Sequence, residues 1–176
     1  GETDFMTAVR FTVNVPPGAT VCAAHIQFTA EGTVSTGILS ARIEGEDQDA
    51  SAPFTTTAGI LTARTKTAAQ VACSNIPQWV NNAAGAAQRT PDLSTIVQEI
   101  VDRAGWATNN AMAFFFTPTT TTGYRRASSL QDGSEAPKLH IEYVVDSLGG
   151  TETTCVPFLM EIGGDGIEPL GNGDYI

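Results

Sequence analysis

A chain of 176 residues has room for one compact domain and a tail, and its 41% hydrophobic content supplies an ordinary buried core. Only 16% of residues are charged and the net charge is −10 at pH 7. That balance argues against nucleic acid and anionic membrane faces as partners, because binding them relies on Lys and Arg displacing counterions. No apolar run reaches the roughly 18 residues of a bilayer-spanning helix, and a start at Gly1 without Met or a basic leader reads as a mature or trimmed product.

The first element is a strand. Val9, Phe11, Val13 and Val15 share one parity against Ala8, Arg10, Thr12 and Asn14, and Pro16-Pro17-Gly18 ends the run with a turn. Cys22, Ala24, Ile26 and Phe28 then alternate with Ala23, His25 and Gln27. A third strand faces Leu39, Ala41 and Ile43 inward, with Arg42 and Glu44 outward. Residues 45–66, rich in Asp, Ala and Thr, read as a loop, and 71–73 as a short strand.

One helix is predicted at about 91–104. Thr90 is its candidate cap, Pro91 suits the first helical position and Gly105 the end, while Leu93, Ile96, Val97, Ile100 and Val101 form one apolar stripe. Strands resume with Met112, Phe114 and Phe116 between Ala111, Ala113 and Phe115, a run apolar enough to be buried on both faces. Asp132-Gly133 marks a turn, and Leu139, Ile141, Tyr143 and Val145 make an amphipathic strand. Beyond it the texture changes: 146–154 reads as a linker and 155–162 as one more strand, followed by a Gly-rich end. The expected fold is all-β, a jelly-roll-like antiparallel β-sandwich with one surface α-helix, with the module at 1–145, the linker at 146–154 and a C-terminal strand and tail at 155–176.

Three cysteines leave an odd count. Cys22 and Cys73 both have inward parity, so a bridge between them is expected, with one thiol left over. Spacing alone does not establish it. With no Cys-x-x-Cys, and with His25 and His140 far apart in sequence, zinc is not expected.

Several segments together resemble a family. They are Ala8-Val9-Arg10-Phe11, Val15-Pro16-Pro17-Gly18-Ala19-Thr20-Val21, residues 23–28, Arg89-Thr90-Pro91-Asp92-Leu93 with the helix to Gly105-Trp106, and Ala136-Pro137-Lys138-Leu139-His140-Ile141-Glu142-Tyr143. Over about residues 8–145 the chain is similar to the DNRLRE-type, or disaggregatase-related, secreted jelly-roll modules of bacterial and archaeal surface proteins. The resemblance implies a lectin-like, carbohydrate-binding-module-like sandwich. It also implies carbohydrate binding in some members, adhesive or structural roles in others, and no catalytic residues. Such modules usually carry an opening strand before the segment matching Ala8, and they lack the tail seen here after Val145.

A missing strand at one end and a spare one at the other suggest donor-strand assembly. Val156, Phe158, Met160 and Ile162 are the large apolar positions of the spare strand. Burying them in a neighbouring copy would contribute roughly 6 to 12 kcal/mol before ordering costs. Copies would join head to tail into a filament. A tail folded back in cis, and a disordered or cleaved tail, are the alternatives. For carbohydrate, Trp79, Trp106, Tyr124, Arg125 and Arg126 are candidate contacts, because sugar rings stack on aromatic faces and guanidinium forks grip hydroxyls; Trp79 and Trp106 packed as core is the competing reading. For calcium, Glu44, Glu46, Asp47 and Asp49 concentrate carboxylates, with Asp165 and Asp174 weaker candidates, against a plain solvated acidic loop.

No catalytic constellation emerges. Ser128-Ser129 lack a nucleophile elbow, His140 and Glu142 alternate on an outward strand face, and a phosphate-cradling Gly-x-x-x-x-Gly-Lys is absent. The expectation is a non-catalytic extracellular structural subunit, polymerising into a surface filament or matrix through its C-terminal strand. The alternative is a carbohydrate-binding or adhesion module of a larger secreted protein, with extracellular polysaccharide as partner.

Overall fold

The computed structural model describes residues 6–32, 36–129, 135–145 and the backbone of 160–163. Among the described residues, seven strands, β1 Thr7–Thr12, β2 Thr20–Gln27, β3 Leu39–Glu46, β4 Lys66–Ile76, β5 Ala111–Thr121, β6 Lys138–Val144 and β7 Met160–Gly163, form two antiparallel sheets. One has the order β1-β5-β3-β4 and the other β2-β6-β7. The short α1 Ile60–Ala63 and α2 Ser94–Val101 are the α-helices among the described residues. The fold is therefore all-β with a small helix.

The period-two pattern in the sequence places the core. Val9 and Phe11 of β1, Ile43 of β3, Met112, Phe114 and Phe116 of β5 face Ala24 and Ile26 of β2 and Leu139 and Ile141 of β6 in one buried cluster. Rings meet edge to face there, with Phe11–Phe114 centroids 6.2 Å apart and Phe28–Phe116 centroids 5.7 Å apart. Helix α2 adds Ile96, Val97, Ile100 and Val101 to the same cluster and packs against β2, β3 and β4. Its stripe is the predicted one.

The central strand β5 is buried on both faces, as its composition suggests. What covers its outer face is the segment read as plain loop. Leu61, Phe54 and Ile60 form a second cluster with Ala8, Ala113 and Phe115, and the Phe54 and Phe115 rings meet at 6.4 Å. Residues 45–66 therefore include a one-turn helix and act as a lid on the sheet. Periodicity could not show this, because a four-residue helix is too short to display a period.

Three boundaries differ from expectation. The first strand ends at Thr12, although Val13 and Val15 stay buried. Val13 is instead held in a loop pairing, donating to Asn110 O at 2.9 Å and accepting from Asn109 N at 2.9 Å. Strand β4 is much longer than 71–73, running over Lys66–Ile76. Helix α2 is shorter than 91–104, starting at Ser94, because Thr90 bonds a strand and Asp92 is shared between that strand and Ser94.

The fit of α2 on β3 turns on one small residue. A Cβ added at Gly45 would lie 2.7 Å from Ile96 Cγ2 and 2.9 Å from Ile100 Cδ1, both in the core. Gly45→Ala is expected to push the helix off its seat and lower stability by about 1–3 kcal/mol, as overpacking does. Urea unfolding followed by tryptophan fluorescence checks this.

Candidate functional site: the edges of the smaller sheet

An antiparallel sheet has two edges, and each presents backbone N–H and C=O groups that must find partners. In the smaller sheet the two edges are treated differently. Along the outer edge of β2 a chain segment and several side chains supply the missing ladder. Phe28 N donates to Gln88 O at 3.0 Å, and Thr90 N donates to Ile26 O at 3.0 Å. Ile26 N donates to Thr90 Oγ1 at 2.9 Å, Ala24 N to Asp92 Oδ1 at 2.9 Å, and Leu93 N returns a bond to Ala24 O at 2.7 Å.

After Ala24 the edge changes parity, because the β2–β6 register shifts between Val21 and Ala23. The donor that next faces outward is Val21 N, which is met by Gln98 Oε1 at 2.7 Å, while Gln98 Nε2 donates to Ala19 O at 3.1 Å. Thr90 and Asp92 thus mimic a strand, two residues apart, before the chain turns into α2. Hydrogen bonds from Ala24 N and Ser94 hold the Asp92 carboxyl below its usual range even though partial burial pushes the other way. This edge is closed to an added strand. A similar device serves β4, where Ala68 N and Ala69 N both donate to the Glu99 carboxylate at 2.7 Å.

On the side of β6 away from β2, the sheet is extended by a strand from the tail. β7 pairs antiparallel with it in the register Lys138–Gly163, Leu139–Ile162, His140–Glu161 and Ile141–Met160. Met160 and Ile162 therefore stand opposite Ile141 and Leu139, which are core residues. The pairing is within one chain. Of the four nominated joining residues, Val156 and Phe158 lie outside the described residues, as do Asp165 and Asp174.

The residues nominated for sugar contact are mostly engaged within the fold. Trp79 is 8% exposed and donates its indole N–H to Ala87 O at 2.9 Å; Trp106 is 3% exposed and donates to Val15 O at 2.9 Å. Arg125 is 1% exposed. Its five N–H groups meet five backbone carbonyls: Pro77 at 2.5 Å, Thr36 at 2.9 Å, Tyr124 at 2.7 Å, Gly37 at 3.2 Å and Ile76 at 2.5 Å. Desolvation lowers its pKa from the usual guanidinium range. It ties three segments together from inside. Tyr124 and Arg126 remain half-buried at this corner, with Arg126 Nη2 paired to Glu31 Oε1 at 3.1 Å.

The acidic segment likewise uses its carboxylates on arginines. Glu44 pairs with Arg42 at 3.1 Å, Asp49 with Arg103 at 2.7 Å, and Asp47 also with Arg103. Glu46 is buried, accepting from Arg64 Nη1 at 2.8 Å and from Ser51 Oγ at 2.5 Å. Arg64 continues to Ala52 O at 2.8 Å and Pro53 O at 2.9 Å and lies over the Phe54 ring. Among the described residues, no three His, Cys, Asp or Glu side chains gather as a metal ion would require.

The cysteine expectation is corrected. Cys73 is a free thiol, whereas Cys22 is in a disulfide, so the two are not bonded to each other. Cys73, a β4 residue opposite Ala41 of β3, packs against the core, whereas Cys22 sits at the β2 bulge, where the alternation that gave it an inward parity is broken. Burial pushes the Cys73 thiol pKa up, away from the reactive thiolate.

Sequence reading also kept the two histidines apart, whereas the sheet brings them together. His25 and His140 are direct cross-strand partners, and their rings stack at 4.6 Å with 22° between planes. Only strand pairing could reveal this, since 115 positions separate them by number (140 − 25). His140 Nε2 lies 3.0 Å from Glu142 Oε1. Desolvation, then the charges of Arg89 and His140, lower the His25 pKa to about 4.

No family model matches the chain, and no match is found among curated proteins or solved structures.

Two outcomes follow from this geometry. Arg64→Met would leave Glu46 buried without its cation and is expected to cost about 3–5 kcal/mol, with part regained when Glu46→Gln is added; a double-mutant cycle by chemical denaturation measures both. His25, with its folded pKa depressed from 6.5 to about 4, binds its proton more readily when unfolded. Its contribution to stability is therefore whole above pH 6.5 and is lost as pH falls through 6.5 toward 4. Melting temperatures taken across that window should decline more steeply for the wild type than for His25→Gln.

Proposed function

We propose that the chain is a non-catalytic structural module working outside the cell, and that its C-terminal strand is the element through which copies join head to tail. One observation carries this reading. The smaller sheet closes one edge with its own residues 88–98 and leaves the β6 edge to a strand that arrives from beyond residue 145. A strand held in cis at the end of a connecting segment can be donated to the same slot of a neighbour, because the register and side-chain pockets are identical in both arrangements. Head-to-tail donation need not close, so it extends into a filament.

Other features support the setting. A disulfide at Cys22 fits an oxidising compartment. The net charge of −10 suits a wall or matrix surface better than a nucleic-acid one. The resemblance of residues 8–145 to secreted jelly-roll modules points the same way. In this reading Trp79, Trp106 and Arg125 hold the module rigid, while the tail does the joining.

Truncation after residue 154 tests it. The full chain, released from cis pairing by mild warming and cooled at high concentration, should yield head-to-tail oligomers in sedimentation velocity and filaments in electron microscopy. The truncated chain should yield neither, and should bind a synthetic peptide spanning 155–163. Oligomers from the truncated chain, or a full chain that stays monomeric throughout, would overturn the proposal.

A further inference from the structure

We infer that His25 and His140 together form an open, two-imidazole site for a borderline divalent cation such as Ni²⁺ or Cu²⁺ on the outer face of the smaller sheet. They are the only two histidines in the chain, and strand pairing sets them side by side.

The backbone fixes how closely they stand. Directly opposed residues in an antiparallel ladder alternate between pairs that exchange both main-chain hydrogen bonds and pairs that exchange none. The amides of Ala24 and Ile26 point to the outer edge of β2, where Asp92 and Thr90 receive them. The amide of His25, between them, therefore points to β6, and His25–His140 is a pair of the bonded kind. Such a pair holds its Cα atoms roughly 5.5 Å apart. Ala24, Ile26, Leu139 and Ile141 all belong to the core, so the alternating histidines share the opposite face. Their rings lie parallel within 22°, with centroids 4.6 Å apart.

Each ring keeps a nitrogen for a metal. His140 Nε2 is 3.0 Å from Glu142 Oε1, which leaves Nδ1. A ligating histidine commonly gives its other ring nitrogen to a carboxylate, which fixes the ring's orientation. Among the described residues, no hydrogen bond engages the His25 ring. Both rings are half-buried and reachable from solvent. The charges acting on His25 include the carboxylates of Glu142 and Asp92, which favour a cation, and Arg89, which opposes one. Arg89 Nε is turned aside to Gln27 Oε1 at 3.2 Å.

The ligand set decides which cation fits. Metal–imidazole bonds of about 2.0–2.1 Å at right angles place the two nitrogens about 3 Å apart. A modest turn of each stacked ring about χ2 brings them there. Two imidazoles with water oxygens make the tetragonal N,O set that suits Cu²⁺ and Ni²⁺. A structural zinc centre takes four protein ligands, more than this face offers, and Ca²⁺ and Mg²⁺ take oxygen ligands. The site is therefore exchangeable, and it stands independently of strand joining.

Nickel chloride titrated calorimetrically into the full chain, near pH 7.5 where imidazole is largely neutral and able to ligate, tests this. A single ion should bind per chain, undisturbed by excess Mg²⁺. Affinity should fall at least about tenfold in His25→Gln and in His140→Gln, and also fall in Glu142→Gln. Proton NMR of the wild type needs no variant: substoichiometric Cu²⁺ should broaden both imidazole signals together, ahead of all others. No heat of binding, binding retained when both histidines are replaced, or broadening that begins elsewhere would overturn the inference.

Discussion

The backbone of β2 sets the terms for the rest of this molecule. It lies at the outer edge of a three-stranded sheet, and its outward N–H groups at 21, 24, 26 and 28 would cost free energy if buried without partners. The chain answers with acceptors drawn from a single stretch: Gln88, Thr90, Asp92 and Gln98. That stretch is therefore held extended before it becomes a helix, which fixes where α2 begins and over which strands it lies. The helix in turn closes the core between β2 and β4 and caps the β4 edge with Glu99. One edge problem accounts for the late helix start and the position of the apolar stripe.

Much of this was legible in the chain and some was not, for reasons that differ by residue. Alternation at Val9, Phe11, Ala24, Ile26, Leu139 and Ile141 reports the core-facing side correctly because the opposite parity is mostly polar or small, and β5 reads as doubly buried because both of its parities are apolar. The helix was legible in its stripe but not in its start. Thr90 is a good capping residue by type, and nothing local says that its hydroxyl is needed by a strand 64 positions earlier (90 − 26). The Cys22–Cys73 expectation failed for a related reason: parity was counted straight through Cys22, and nothing local announces the bulge between Val21 and Ala23 that breaks it there.

The candidate site was less legible than the fold. A tail strand could be read from apolar alternation at 156–162, and β7 is where its last part lies. Its seat on β6 depends on which edge is already closed, and that is decided by side chains such as Gln98 whose role is invisible in a helical stretch. Arg125 and Trp79 were nominated for sugar by residue type, since type alone does not distinguish a guanidinium facing solvent from one facing five carbonyls.

That buried guanidinium differs in kind from the ion pairs along residues 42–49. Carboxylate partners take up protons in acid and are shielded by dissolved salt. Main-chain carbonyls do neither. The knot at 36–37, 76–77 and 124 should thus hold at acidities and ionic strengths that loosen the Arg103 and Arg42 pairs, leaving this corner of the molecule the last to give way in acid or brine.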